Sequence, residues 1–507
     1  MICKVYSAGI SGIEAFRICV EADVSGGLPA FSMVGLPSSE VKEAKDRVVC
    51  AIINSGFEFP VRRITINLSP ASLRKQGSGF DLPIAIAILV AAGVIRPEAT
   101  EGKIFIGELS LDGKVNPVRG VLPISILAAE QGYTSIVLPA GNVFEGAVAE
   151  GVKIHSAFDL QTLVRELNNG IVKDVEHTDL EAALARSARG SRLDYLDVAG
   201  QEQAKRATMI AVAGFHNLLY IGPPGAGKSM MAERIPTIFN RMSKQECLEI
   251  SKIYSIAGLL KDNSPVLERP FRAPLHSITE RALMGGMGNP RPGEITLAHR
   301  GVLFLDELTE FKKSTIDELR IPMESGNVVI NRASGQARFP CVFMLVAATN
   351  PCKCGYYPDR RYCRCNDIEV EKYIGKIRGP VMDRIDICVG VERVEAGSLR
   401  KAGTGLSSAQ MRERILRAQD IQRRRFAGTD IHFNSRMGKK ETDMFCTLNE
   451  EGKAALSRAY DRFRLSARGW YKILKVARTI ADIEGMESIT KDHILEAVGY
   501  RNSYVNN

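Results

Sequence analysis

Apolar residues along this chain gather in short runs between glycine, proline and charged residues, and the period within each run predicts an element. Ile64 to Leu68 alternates apolar and polar positions, as a strand with one buried face does. Asp81 to Val94 is nearly continuous in apolar residues and reads as a buried helix, while Lys103 to Leu111 reads as a strand that turns at Asp112-Gly113. Residues 1–165 therefore alternate strand and helix signals. Residues 166–192 carry few large apolar side chains and many charges, with an Ala/Arg/Ser-rich stretch from Glu181 to Arg192, and are predicted to be a linker. From 193 to 395 the order is strand, glycine-rich turn, helix and further apolar strands, which implies a mainly parallel sheet covered by helices. Strand signals fade over 396–507, where Ser407 to Phe426 and Tyr471 to Ile483 read as helices. The expected fold class is α/β, with a helical C-terminal domain and no internal repeat.

Composition narrows the class without deciding the function. A chain of 507 residues exceeds one hydrophobic core, and 45% hydrophobic with 25% charged residues is the balance of a globular protein. No run reaches membrane-spanning length without a charge or a break, and Leu82 to Val94 is too short to cross a bilayer. The opening Met-Ile-Cys-Lys-Val-Tyr-Ser lacks a basic stretch followed by an apolar core, so no signal peptide and a cytoplasmic location are expected. Eleven cysteines, an odd number, fit a reducing compartment better than a disulfide framework. The net charge of +9 is compatible with a polyanionic partner and does not establish one.

Chemistry enters at Gly222-Pro223-Pro224-Gly225-Ala226-Gly227-Lys228-Ser229, a nucleotide phosphate loop in its proper context. The buried-strand pattern Asn217 to Ile221 runs straight into it, and Ser229 to Glu233 continues as helix. Glycines let backbone amides turn onto phosphates, Lys228 reaches the terminal phosphates, and Ser229 can ligate magnesium. A second apolar strand, Gly301 to Leu305, ends in Asp306-Glu307, placing one carboxylate for magnesium and the next for the attacking water. A third, Val342 to Ala348, ends in Thr349-Asn350-Pro351, where an amide could orient that water, although Asn-Pro is also a plain turn signal. Arg384 beside the turn Gly379-Pro380 and Arg468 at a helix start follow in the order of an arginine finger and a lid sensor, while surface arginines are ordinarily just solvated. Cys352, Cys354, Cys363 and Cys365 form C-x-C-x8-C-x-C, a loop that can surround a structural zinc; a redox pair and unligated thiols are the other readings.

The phosphate loop, Asp306-Glu307, Asn350, Arg384 and Arg468 together resemble an AAA+ ATPase of the branch that includes magnesium chelatase I subunits and MCM helicases. More narrowly, Gly35-Leu36-Pro37 with Val41 to Val48, Arg269 to Pro274, Pro290 to Ile295 and Ser466 to Gly485 are similar to the ComM/YifB family of Mg-chelatase-like proteins, over nearly the whole chain. That resemblance implies ATP and Mg2+ as cofactors, a hexameric ring with nucleotide at subunit interfaces, Arg384 acting on the neighbour's ATP, and movement of DNA branch points in recombination or natural transformation. Glu108 to Val115 resembles the Lon protease domain, so residues 1–165 are expected to form a Lon-like α+β domain. Where that protease carries its serine and lysine, this chain reads Asp81-Leu82-Pro83 and Gly120-Val121-Leu122-Pro123, so no peptidase activity is expected. The recombination ATPase RadA similarly joins such a domain to a DNA motor, which implies a scaffold or DNA-contacting role. Two DNA-contact regions follow from the helicase branch: the segment Ser255 to Arg300, with Arg269, Arg272, His276, Arg281, Arg291 and Arg300, and the hairpin Val328 to Arg338, where Arg332 and Arg338 are the expected contacts. A solvated hairpin is the other reading. The alternative function is the motor subunit of a magnesium-chelatase-like complex, against which stands the lack of an evident Asp-x-Ser-x-Ser metal-adhesion motif.

Overall fold

The computed structural model describes residues 2–171, 174–187, 193–286, 291–332, 335–377, 381–393 and 405–502. The predicted boundary at 395–396, Pro290, Gly379, Pro380 and parts of the predicted linker lie outside these residues.

The first sheet has seven strands in the order β3-β4-β2-β1-β5-β8-β9. These are β1 (Ile2–Ser11), β2 (Glu14–Ser25), β3 (Ala30–Val34), β4 (Arg63–Ser69), β5 (Lys103–Phe105), β8 (Ser135–Pro139) and β9 (Lys153–Ala157), while β6 (Glu108–Leu109) and β7 (Val115–Asn116) make a separate short pair. On β2 the alternate residues Ile18, Val20, Ala22 and Val24 are buried, which is the period-two pattern of a half-buried strand. They face the helix Asp81–Ala91, whose residues Leu82 to Val90 are buried all round, so its unbroken apolar run follows from its place inside the layer. The predicted strand Lys103 to Leu111 is split into β5 and β6. Ile106 still donates to Val137 of the sheet, but Gly107 turns to Gly79 and accepts from Leu82, so the chain leaves the sheet to close the entry of that helix.

The second sheet is fully parallel in the order β11-β12-β15-β10-β16, formed by β10 (Leu218–Ile221), β11 (Phe271–Arg272), β12 (Val302–Leu305), β15 (Met344–Thr349) and β16 (Ile387–Gly390). Every residue of β10, β12 and β15 is buried, as expected of parallel strands covered on both faces. The hairpin β13 (Asn327–Arg332) and β14 (Gly335–Pro340) stands outside this sheet, paired from Asn327↔Pro340 to Arg332↔Gly335. Helices Ser408–Arg425, Lys439–Phe445, Glu450–Phe463, Ala467–Glu484 and Lys491–Asn502 follow, and Ile415, Ile473 and Ile480 share one core with Ile210, Leu218 and Val346.

The stretch predicted as linker contains a helix, Leu180–Ser187. Leu180 and Leu184 recur at helical spacing and pack with Leu122, Val148 and Cys247, tying the first sheet's helices to the helix Lys244–Ala257. A second tie is the buried Glu145, which accepts from Ser255 Oγ at 2.5 Å and from the Leu122 amide at 3.0 Å. No helix among the described residues is long and apolar enough to cross a membrane.

Candidate nucleotide site

The phosphate loop leaves the buried end of β10 and enters the helix Lys228–Glu233. Gly225 (φ +74°) and Gly227 (φ +91°) take left-handed conformations that favour glycine, which aims the intervening amides inward. Lys228 Nζ donates to the carbonyls of Gly222 (2.6 Å) and Pro223 (2.9 Å) and to Asn350 Oδ1 (3.0 Å). Burial lowers the pKa of this ammonium, opposed by the charges of Asp306 and Glu307. A desolvated cation held by neutral acceptors is a strong partner for a polyphosphate, whose charge restores what burial takes away. Ser229 Oγ donates to Asp306 Oδ2 at 2.6 Å, so the hydroxyl and carboxylate that would hold magnesium already lie side by side.

These groups line one cavity of about 390 Å³, bounded by Pro224 to Met230, Asp306, Glu307, Thr349 and Asn350. A larger cavity of about 690 Å³ lies between the first sheet and the hairpin, but its lining holds no phosphate loop, so size does not mark the site. Glu307 adopts φ +50°, ψ 49°, a left-handed conformation costing roughly 1 kcal/mol for a residue with a Cβ. Its amide bonds Asp306 Oδ1 at 2.9 Å, its carboxylate stays half-exposed, and His276 Nδ1 lies 3.8 Å away. Backbone strain of this kind clusters at functional sites.

Arg384 and Arg468 do not line the cavity. Both converge on one carboxylate instead: Arg384 Nη2 donates to Glu324 Oε1 at 2.5 Å and Arg468 Nη2 to the same oxygen at 2.8 Å. The Arg384 hydrogen bond is the main cause holding the Glu324 carboxyl below its ordinary range, with Arg468 adding to it. The backbone behind Arg384 is pinned as well. Asn217 Nδ2 donates to the Arg384 carbonyl (2.9 Å), and Lys472 Nζ donates to the Ile385 carbonyl (2.9 Å) and pairs with Asp386 (2.8 Å). Burial would raise the Asp386 pKa, but Lys472 and His216 outweigh it and hold the carboxyl well below its usual value. Lys472 follows Arg468 by one helical turn on Ala467–Glu484, so one helix carries both cations, and Ser466 caps it by accepting from Gly469 at 3.1 Å. Sequence reasoning missed Glu324, Asn217, Asp386 and Lys472; only the Arg468–Lys472 spacing carried a signal.

The four cysteines come together as predicted. Their sulfurs all lie within 4.8 Å of one another, with Cys352–Cys354 at 3.3 Å, Cys354–Cys363 at 3.6 Å and Cys352–Cys363 at 3.8 Å. A tetrahedral zinc with bonds of about 2.3 Å needs sulfurs about 3.8 Å apart, so the donor set fits that ion. No disulfide is formed among the described cysteines.

Of the arginines between Ser255 and Arg300, three are committed to the fold. Arg269 pairs with Glu246 (3.0 Å), Arg272 with Glu294 (2.7 Å) and Arg300 with Glu249 (3.1 Å), while Arg281 is exposed. Arg338 is exposed on β14, and its backbone abuts Gly12 in the turn between β1 and β2. Arg332 ends β13, and its side chain lies outside the described residues. In the first sheet's layer Asp81 is fully buried, bonded to Arg47 at 2.7 Å and to the Leu109 amide at 3.2 Å. Burial pushes its carboxyl up to about 6 against the pull of Arg47.

The chain is 40% identical over 500 residues to competence protein ComM of Haemophilus influenzae, covering 98% of this chain and 97% of that protein. It is likewise 40% identical over 501 residues to YifB of Salmonella typhimurium, covering 98% and 96%. The chain belongs to the ComM/YifB family of magnesium-chelatase-like proteins. Models described as magnesium chelatase subunit ChlI match residues 194–399 and 20–142, and one described as the ChlI C-terminal part matches 405–501. The magnesium-chelatase 38 kDa subunit of Cereibacter sphaeroides is 25% identical over 319 residues, 59% of this chain and 87% of that one. The ComM/YifB family is thus of the AAA+ type, which implies ATPase activity with ATP and Mg2+. Lys228 and the loop amides are the residues that would hold the phosphates, and Ser229 and Asp306 the metal.

Proposed function

We propose that this chain is an ATP-driven ring motor, most simply a hexamer, that moves DNA branch points in the cytoplasm. The observation that carries the ring is the separation of the two halves of the chemistry. Lys228, Ser229, Asp306, Glu307 and Asn350 share one cavity, whereas Arg384 and Arg468 sit together on Glu324 outside it. A neighbour's arginine pair would exchange Glu324 for the terminal phosphate and stabilise its charge in the transition state. Within one subunit Lys228 binds the phosphates, Ser229 and Asp306 hold magnesium, Glu307 takes the proton of the attacking water, and Asn350 orients that water.

DNA as the client is supported by likeness along the full chain to competence protein ComM, whereas the chelatase subunit aligns with 59% of it. The division into residues 1–165, 166–192, 193–395 and 396–507 belongs to the same reading, with the first part Lon-like, the last a helical lid, and no peptidase activity. Asp81, spent on Arg47 where a nucleophilic serine would stand, supports that absence. The four-cysteine loop holds one structural zinc.

Arg332 and Arg338 are assigned to the DNA backbone. Replacing both with alanine is expected to weaken binding to a forked duplex and to reduce the slope of log affinity against log salt by about two. Fluorescence anisotropy across a salt series measures both. Unchanged affinity and slope would remove the two arginines from the DNA path.

A further inference from the structure

Building on the zinc reading above, we infer that the metal bound by Cys352, Cys354, Cys363 and Cys365 is a positioning clamp for the ATP site. Three contacts leave the cysteine loop, and each ends on a different part of the nucleotide machinery. The first reaches the phosphate loop. Gly355 (φ +88°) lies so close to Pro224 that a Cβ at 355 would stand 2.4 Å from the proline Cδ. The second is covalent. Cys352 follows Pro351 and Asn350, whose side-chain oxygen accepts from Lys228 Nζ at 3.0 Å, so the first metal ligand is two residues from the group that would orient water. The third reaches the turn after the catalytic carboxylates. Cys365 is followed by Asn366, which caps the helix Asp367–Gly375, and Tyr373 on that helix accepts from Thr309 Oγ1 at 2.6 Å. Thr309 lies two residues beyond Glu307, and the Lys376 ammonium bonds its carbonyl at 3.4 Å.

Apart from the Arg360 bond to the Cys365 carbonyl (2.6 Å) and the exposed pairs Arg360–Asp367 and Arg361–Asp359, the cysteine loop rests on a small core of its own. Its core consists of Cys352, Cys363, Cys365 and Val370, with Cys354, Tyr357 and Ile374 partly buried against them, so sulfur makes up most of it. So small a core offers little apolar burial to set against the cost of ordering a segment of this length, and a metal bonded to four thiolates would add a cross-link. Binding takes Zn2+ with release of the thiol protons to water and no change in oxidation state. The geometry of Pro224, Asn350 and Glu307 relative to one another then depends on the ion, and near-attack positions tolerate little displacement.

Two perturbations of the full-length protein test the clamp. Zinc content is measured on the purified chain, then zinc is withdrawn with a zinc-selective chelator while magnesium stays in excess, and steady-state ATP hydrolysis is followed. The clamp predicts a fall in kcat of about tenfold or more, a smaller change in KM for ATP, and recovery when zinc is restored. Gly355→Ala leaves all four thiols in place, so zinc should remain near one per chain while kcat falls in the same way. A zinc-loaded protein whose kcat is unaffected both by removal of the ion and by Gly355→Ala overturns the clamp and leaves zinc as a distant structural ion. Absence of zinc from the purified chain, with none taken up from added zinc chloride, overturns the metal reading itself.

Discussion

Glu307→Gln should bind ATP with nearly unchanged affinity and hydrolyse it about 10² to 10⁴ times more slowly, the usual range for loss of a positioned general base. The amide keeps the volume of the carboxylate but cannot take the water's proton. Binding should survive because the loop amides, Lys228, Ser229 and Asp306 are untouched, and Ser229 is bonded to Asp306 at 2.6 Å rather than to Glu307. The strained backbone at 307, φ +50°, is supported by its own amide on Asp306 Oδ1, so the substitution leaves the turn in place. Binding of a fluorescent ATP analogue and phosphate release, measured on one preparation, separate the two effects. Wild-type turnover would transfer the base role to another group, such as His276, whose Nδ1 lies 3.8 Å from the Glu307 carboxylate.

Arg384→Ala should show a similar split through a different route, losing about 10³ to 10⁵ in turnover if its charge acts on the transferring phosphate. The side chain is buried against Glu324 and absent from its own subunit's nucleotide cavity, so its removal leaves the binding residues alone. Mixing separates action within a subunit from action on a neighbour. Arg384→Ala and Glu307→Gln subunits, each inactive alone, should regain hydrolysis when assembled together, because interfaces then form with an intact Glu307 on one side and an intact Arg384 on the other. No recovery in mixtures shown to co-assemble would place Arg384 in its own subunit's chemistry. Arg468, held on the same Glu324 oxygen at 2.8 Å, should follow Arg384 in such mixtures.

Much of this site is legible in the sequence because its parts are local. A buried strand, a glycine turn and a helix start leave contiguous patterns, so the run Gly222 to Ser229, the acids Asp306 and Glu307, and Asn350 could be read directly. The carboxylate that gathers Arg384 and Arg468 left no such pattern, since Glu324 is 60 residues from one and 144 from the other. Pairing also changed the meaning of charge. Arg269, Arg272 and Arg300 read as a basic segment, yet each is matched by a glutamate brought in by folding. The helix Leu180–Ser187 was hidden by its polar flanks, because two leucines at helical spacing suffice once a neighbouring groove receives them. Cysteine spacing suggested a metal, but nothing in it indicated that Gly355 would rest on Pro224.

The central claim is that ATP hydrolysis at this composite site moves DNA strands. The direct measurement follows strand exchange of a fluorescently labelled four-way junction and phosphate release in one reaction. The account predicts junction-stimulated hydrolysis and strand exchange that requires hydrolysable ATP and vanishes with Glu307→Gln. Robust ATP hydrolysis that ignores the junction, with no strand movement, would contradict it.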